Sequence, residues 1–340
     1  MSTAPLILLT GASGFLGRAL VRALEVKGCT LRLLQHRAAL PRGRHEIVHG
    51  SIVDGVALRA AAKGCDIVVH AAALASEFAP AATDFERCNI EGTRVLLEAA
   101  QAAKVRRLLH VSSVMAFGPS AGRVCSEADF DAGRSVSMPY QRTKRTATQI
   151  VRAARGGGME VAVVYPAALI GIGPSSEGNW MGRLAEHLVA RRLGALPRVQ
   201  QQRFCLAHVD DVAEAIAVAA LRRGDDDWIL GGENLAVAEL YEVLRSELGD
   251  AAMPALRPAW LLHGALGPME WWARLRGRRP VSTRAGLAAF RYDWAFSSTK
   301  ARAELGLASR PVVLALREQM RAAQGRAKAS ADPGVESAEA

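Results

Sequence analysis

Tyr140 and Lys144 stand four residues apart in the run Met138-Pro139-Tyr140-Gln141-Arg142-Thr143-Lys144. Residues at that spacing share one helix face, about one turn apart. The ammonium is therefore expected near the phenol. A neighbouring positive charge favours phenolate and lowers a tyrosine pKa from its usual value of ~10. A phenol tuned in this way exchanges a proton with a carbonyl or an alcohol near neutral pH. Taken alone, the pair equally describes a solvated helix face, so its meaning depends on what surrounds it.

The first element that could give it a partner lies at the start of the chain. Leu6-Ile7-Leu8-Leu9-Thr10 reads as a buried parallel strand, and Gly11-Ala12-Ser13-Gly14-Phe15-Leu16-Gly17 follows at once. Leu20, Val21, Leu24 and Val26 then recur at helical spacing between Arg18 and Lys27. A dinucleotide pyrophosphate needs this order: a tight turn, close backbone approach, and a helix N-terminus facing the negative charge. The glycines are spaced G-x-x-G-x-x-G. A purely structural glycine turn is the plainer alternative.

The second strand, Leu31 to Leu34, ends at Gln35-His36-Arg37 without a carboxylate for ribose hydroxyls. His36 and Arg37 stand there instead, with Arg42 and Arg44 downstream. A forked guanidinium suits the 2′-phosphate of NADP. NADP is therefore the expected cofactor and NAD the alternative. A solvated basic loop would look the same.

Strand and helix patterns alternate along the first part of the chain. Strands are predicted at Leu6–Thr10, Leu31–Gln35, Glu46–Val48, Ile67–His70, Arg107–Val111, Val161–Val164 and Trp228–Leu230. Helices are predicted at Arg18–Lys27, Val56–Lys63, Asp84–Ala103 and Tyr140–Arg155. Alternation of this kind implies an α/β fold with a doubly wound parallel sheet. Residues 1–165 read mainly as a dinucleotide-binding domain. Residues 166–322 read mainly as a smaller C-terminal substrate lobe, with 204–231 returning to the main sheet and 323–340 a disordered tail. His208 and Asp210 lack a third ligand nearby, so no metal is expected. Strand-end packing and an aspartate cap on the helix from Val212 explain them better.

Composition limits the classes further. The chain has 340 residues, 50% hydrophobic, with a mean hydropathy of +0.09. That supports a large core. No run is long and apolar enough to span a bilayer, and the start lacks a secretory pattern. Five scattered cysteines fit a reducing compartment, so a cytoplasmic location is expected. The net charge of +10 comes from arginines spread along the chain, not gathered in a stripe. That pattern argues against a nucleic-acid partner and fits an anionic cofactor.

Several of these segments in order resemble the extended short-chain dehydrogenase/reductase superfamily, in its NAD-dependent epimerase/dehydratase-like branch. They are T-G-A-S-G-F-L-G, Asp54 in G-S-I-V-D, Val69-His70-Ala71-Ala72, Asn89 in N-I-E-G-T, Val111-Ser112-Ser113, the Tyr140/Lys144 pair, H-V-D-D-V from His208, and K-A-R-A-E-L-G from Lys300. The resemblance runs from about Pro5 to Ala322 and implies a Rossmann-like fold. It implies that Ser113 and Tyr140 handle the reacting oxygen, and that Lys144 polarises Tyr140 and holds the nicotinamide ribose. Asn89 joins this set as the helix asparagine that supports it. Cofactor contacts implied are Gly11, Ser13, Gly14, Phe15, Leu16, Gly17, His36, Arg37, Ser51, Ile52, Ala71, Ala72, Tyr140, Lys144 and Pro166. Three positions depart from the usual pattern. Ser51 stands where an aspartate is common, Tyr165 stands where an arginine precedes the late proline, and the reductase arginine falls at His36 with Arg37 next. The chain looks most like 3β-hydroxysteroid dehydrogenase-like and dihydroflavonol reductase-like members, and also like a hopanoid-associated sugar epimerase-like group.

The lobe carries Trp180, Met181, Leu184, Trp260, Leu261, Leu262, Met269, Trp271 and Trp272. The expected substrate is therefore bulky and apolar (steroid-, flavonoid- or acyl-like), with hydride moving between nicotinamide and a secondary alcohol or ketone. A nucleotide-sugar epimerase or dehydratase with tightly held NAD is the second reading, and a non-catalytic cofactor sensor the third. Residues 258–279 are apolar and aromatic, then basic. This order suits either a substrate mouth or a helix lying in a membrane interface. A homodimer is common among proteins the chain resembles.

Overall fold

The computed structural model describes residues 4–76, 82–133, 138–174, 176, 178–199, 201–276 and 280–331. Its strands in chain order begin with β1 (Leu6–Thr10), β2 (Thr30–Gln35), β3 (Glu46–His49), β4 (Ile67–His70), β5 (Arg107–Val111) and β6 (Glu160–Pro166). They continue with β7 (Ala168–Ile170), β8 (Ala195–Pro197), β9 (Arg203–His208), β10 (Asp226–Leu230), β11 (Glu233–Ala236) and β12 (Ala255–Arg257). Seven of them form one parallel sheet in the order β10-β6-β5-β4-β1-β2-β3. The chain runs outward from β1 on one side and returns to run outward from β4 on the other. The carboxyl ends of β1 and β4 therefore open a crevice at the reversal point, where such sheets bind ligands.

Burial explains why apolar runs became strands. Ile7, Leu8 and Leu9 are fully buried, as are Ile67, Val68 and Val69. Both faces of the sheet are covered, which is the usual condition of an all-parallel sheet. The covering helices include α1 (Phe15–Val26), α2 (Gly55–Ala62), α3 (Ala82–Phe85), α4 (Gly92–Ala102) and α5 (Pro139–Arg152). The remaining helices are α6 (Trp180–Val189), α7 (Val209–Leu221), α8 (Val237–Leu248), α9 (Ala259–Leu275), α10 (Arg284–Ala289), α11 (Thr299–Leu305) and α12 (Val312–Ala331). Helix α5 starts with Pro139 in its first turn, where a missing N–H costs nothing. It buries Gln141, Lys144, Thr148 and Val151 against the sheet.

Three expectations need correction. The single helix read over Asp84–Ala103 is instead α3, a π-helical segment at Glu86–Glu91, and α4. Strand β9 does not return to the main sheet. It pairs with β7 and with antiparallel β11 in a separate three-stranded sheet, and within 204–231 only β10 joins the seven. Helix α12 continues to Ala331, past the Ala- and Gly-rich point where the tail was expected to begin, because Met320 and Ala323 are buried. Residues 332–340 lie outside the described residues.

Candidate active site

The cradle begins where β1 ends. Gly11 adopts φ +81°, and a Cβ there would lie 2.7 Å from the backbone of Ala71 and Ala72 at the end of β4. A Cβ on Gly17 would come within 2.0 Å of the Gly11 carbonyl oxygen. Both glycines are thus required by close backbone approach. Gly14 is the N-cap of α1 and offers no side chain to its first turn. The amide groups of that turn are left for an anion, with the helix dipole favouring negative charge. Arg18 braces the loop: its Nε donates to the Ser13 carbonyl (3.2 Å) and its Nη2 to that of Ala39 (3.2 Å).

Beneath the cradle runs a chain of buried hydrogen bonds. Thr93 Oγ1 donates to the Asn89 carbonyl (2.6 Å), so it accepts from His70 Nε2 (3.0 Å). His70 Nδ1 then accepts from Thr10 Oγ1 (2.9 Å), which itself accepts the Ala72 N–H (3.2 Å). This order requires a neutral His70. Burial, and then the charge on Lys144, lowers its pKa to about 3.

Other positions implied as cofactor contacts spread along the carboxyl edge. His36 and Arg37 are exposed just beyond β2. Ser51 is half-buried and accepts the Val53 N–H at 3.4 Å. Ile52 packs on Gly92, where a Cβ would lie 2.9 Å from its Cγ2. Pro166 closes β6 and is buried. Tyr165, the departure from the arginine pattern, is a core residue. Its ring packs edge-on to Phe117 at 4.8 Å, and its hydroxyl has no partner.

Ser113, Tyr140 and Lys144, implied as the reacting residues, follow β5 in the chain. Ser113 caps the short helical turn Val114–Phe117, its Oγ accepting the Met115 N–H at 3.2 Å. The same hydroxyl lies near the phenol of Tyr140 and favours its ionised form. Burial outweighs it and pushes that phenol up to about 12. Lys144 is turned inward and donates to the Val111 carbonyl at 2.7 Å. Burial drops its own pKa to about 8. The expected lowering of the tyrosine by the lysine therefore does not occur in this state. One helix face is shared, but a strand carbonyl captures the ammonium. At neutral pH the phenol is a proton donor and the lysine is charged.

Asn89 is buried within the π-helical segment and is not a helix cap. Its Oδ1 accepts the Leu74 N–H (2.7 Å), and its Nδ2 donates to the Leu74 carbonyl (3.3 Å) and to Thr143 Oγ1 (3.0 Å). It pins the loop segment following β4 to α5, and so positions Tyr140 without touching it. Thr10, Arg18 and Thr143 escaped the sequence reading. Thr10 lay inside the glycine motif, but only the β1–β4 pairing shows what its hydroxyl holds. His208, not an aspartate, caps α7 through Nδ1. Among the described residues no three His, Cys, Asp or Glu side chains gather to hold a metal.

The lobe differs from the expected aromatic pocket. Trp180 stacks near Phe290 and beside Phe204, but Trp260, Trp271 and Trp272 point to solvent. No helix among the described residues is long and apolar enough to cross a membrane.

A cradle that a Cβ would fill, an uncapped helix start and a crevice at the sheet reversal fit a dinucleotide. With the seven-stranded parallel sheet they mark a Rossmann-like fold of the NAD-dependent oxidoreductase/epimerase kind. The chain belongs to the NAD dependent epimerase/dehydratase family, whose pattern matches residues 7–231. It is 28% identical over 317 residues to the 4-hydroxy-2-methyl-3-oxo-4-farnesyl-3,4-dihydroquinoline-1-oxide ketoreductase of Stigmatella aurantiaca, covering 89% of this chain and 91% of that protein. The solved structure of gox2253 is 31% identical, with a TM-score of 0.74 and coverage of 95% and 98%. MoeE5 with UDP-glucose and NAD is 25% identical, with a TM-score of 0.74 and coverage of 95% and 99%.

Proposed function

We propose that this chain is an NADP-dependent reductase acting on a ketone of a bulky, apolar molecule. The observation that carries the reading is the Tyr140 phenol, kept protonated at neutral pH by burial with the Ser113 hydroxyl near it. When bound, the nicotinamide supplies or takes the hydride. Ser113 and Tyr140 hold the substrate oxygen between two hydroxyls, and negative charge developing there is met by donors already in place. The phenol gives its proton to that oxygen. The Lys144 ammonium, charged below about pH 8, would lower the cost of the phenolate left behind once it leaves the Val111 carbonyl. Arg37 is exposed just beyond β2, where it can meet a 2′-phosphate. An apolar substrate is supported by the farnesyl-bearing compound in the name of the Stigmatella relative.

A second reading, epimerisation of a nucleotide sugar with NAD held throughout, is favoured by the likeness to MoeE5. The two separate on purification. A reductase binds added NADPH and consumes it against hydrophobic ketones. An epimerase carries bound NAD and consumes none. Retention of NAD with no NADPH oxidation on steroid, flavonoid or acyl ketones would overturn the first reading.

A further inference from the structure

Helix α9 presents an outward face that, among its described side chains, is mostly large and apolar. It has 17 residues, so it is about 25 Å long. Leu266, Glu270 and Ala273 turn inward and are buried. Glu270, its one carboxylate, is held by Arg284 (3.2 Å) on the protein side. The opposite face shows Trp260 (75% exposed), Leu261, Trp271 (61%), Trp272 (52%) and Leu275. Buried and exposed sets fall on opposite sides at about 3.6 residues per turn. Large apolar side chains grouped in this way on a surface mark an interaction site.

Three observations identify what covers it. First, the helix end is cationic: exposed Arg276 stacks over Trp272 at 4.3 Å, and Arg257 is exposed just ahead of the helix. An aromatic face bordered by arginine is the pattern of helices that lie in a bilayer interface. Second, a cavity of about 230 Å³ lies behind α9, lined by Leu262, Leu266, Leu184, Leu287, Phe290 and Trp180. That is below the ~300–1,000 Å³ of sites holding whole ligands, and suits a hydrocarbon tail. Third, Arg183 and Arg192 line the same cavity with no carboxylate partner among the described residues, the nearby Glu186 being engaged by Arg326. Apolar walls with unpaired guanidinium groups match an amphiphile with an anionic head. The chain's net charge of +10 adds attraction to an anionic surface.

We propose that α9 docks on an anionic phospholipid bilayer, its tryptophans sunk at the headgroup level and the cavity behind it open to a lipid tail. Docking goes beyond the reductase reading and needs no turnover.

The test floats the full chain with vesicles of phosphatidylcholine alone and of phosphatidylcholine with phosphatidylglycerol. The chain is expected to float with the anionic vesicles, to be released by salt, and to shift its tryptophan emission to the blue. The doubly substituted Trp271→Ser/Trp272→Ser chain should partition about tenfold more weakly or less, because partitioning follows buried apolar area. Arg183→Ala/Arg192→Ala should lose the preference for anionic over neutral vesicles. NADPH binding, measured in solution, should stay unchanged in both and shows that they fold. No flotation with anionic vesicles overturns the proposal, as does equal flotation of the tryptophan variant. A dimer that falls apart on Trp271→Ser/Trp272→Ser without any vesicle binding also overturns it, and makes the face a contact between copies.

Discussion

Lys144 should weaken the folded protein at neutral pH, and the cost should fade as the solution becomes alkaline. Its ammonium is buried and its pKa is lowered from 10.5 to about 8. Between those values the unfolded chain holds a proton there that the folded chain has released. Stability then rises with pH across that window, because the unfolded state binds more protons. This is opposite to a lysine that gains a salt-bridge partner on folding. Going from about pH 7 to about pH 10, the linkage amounts to roughly 2–3 kcal/mol. The perturbation is Lys144→Met, which removes the titration and keeps the volume. Urea unfolding of the cofactor-free protein, wild type and variant in parallel, cancels the titration of every other group. The stability of the wild type relative to the variant should climb by that amount over the range. A difference that stays flat, or falls, would refute the inward, desolvated placement of the ammonium.

Other substitutions test the remaining parts. Gly17→Ala should abolish cofactor binding or unfold the loop, since its Cβ would sit 2.0 Å from the Gly11 oxygen with only backbone to yield. Calorimetric titration with NADPH, alongside a melting curve, reads both outcomes. Arg37→Ala should weaken NADPH about tenfold and leave NADH unaffected, if a charge-assisted contact to the 2′-phosphate is lost; equal affinities for both cofactors before and after would remove that contact. Asn89→Ala should lower kcat more than it raises KM, because three bonds placing Leu74 and Thr143 are lost while the cradle is untouched. Cofactor affinity should hold, and a matched loss of both would mean that Asn89 supports folding only. Turnover of the reductive reaction should decline above about pH 8 as Lys144 loses its proton, and a rate flat to pH 10 would separate the lysine from the chemistry.

The parallel sheet was legible because burial on both faces leaves continuous apolar runs, and these were cut by glycine turns at the right places. The cradle was legible for a similar reason: Gly11 and Gly17 answer to local backbone geometry that leaves a trace in the residue type. The Tyr140/Lys144 pair was legible in position but not in state. Spacing puts Tyr140 and Lys144 on one face, yet the partner that captures the ammonium is a carbonyl of β5, more than 30 positions away. No local pattern contains it. Asn89 was found by motif, but the π-helical turn that holds it was not, because such a turn differs from an α turn by one extra residue and by nothing in the composition. Strand β9 has the apolar run of a main-sheet strand, and only pairing with β7 and β11 decides its sheet. The tryptophans of α9 were visible as apolar residues, but which face of the helix the lobe buries depends on Leu266 and Ala273 meeting their neighbours.

The central claim is that one phenol delivers the proton that accompanies hydride transfer. Single-turnover oxidation of bound NADPH by a hydrophobic ketone, compared between wild type and Tyr140→Phe, tests it most directly. The variant should bind NADPH as the wild type does and turn over about 10²–10⁴ times more slowly, the contribution expected of a positioned proton donor. An unchanged rate with cofactor bound would contradict the account.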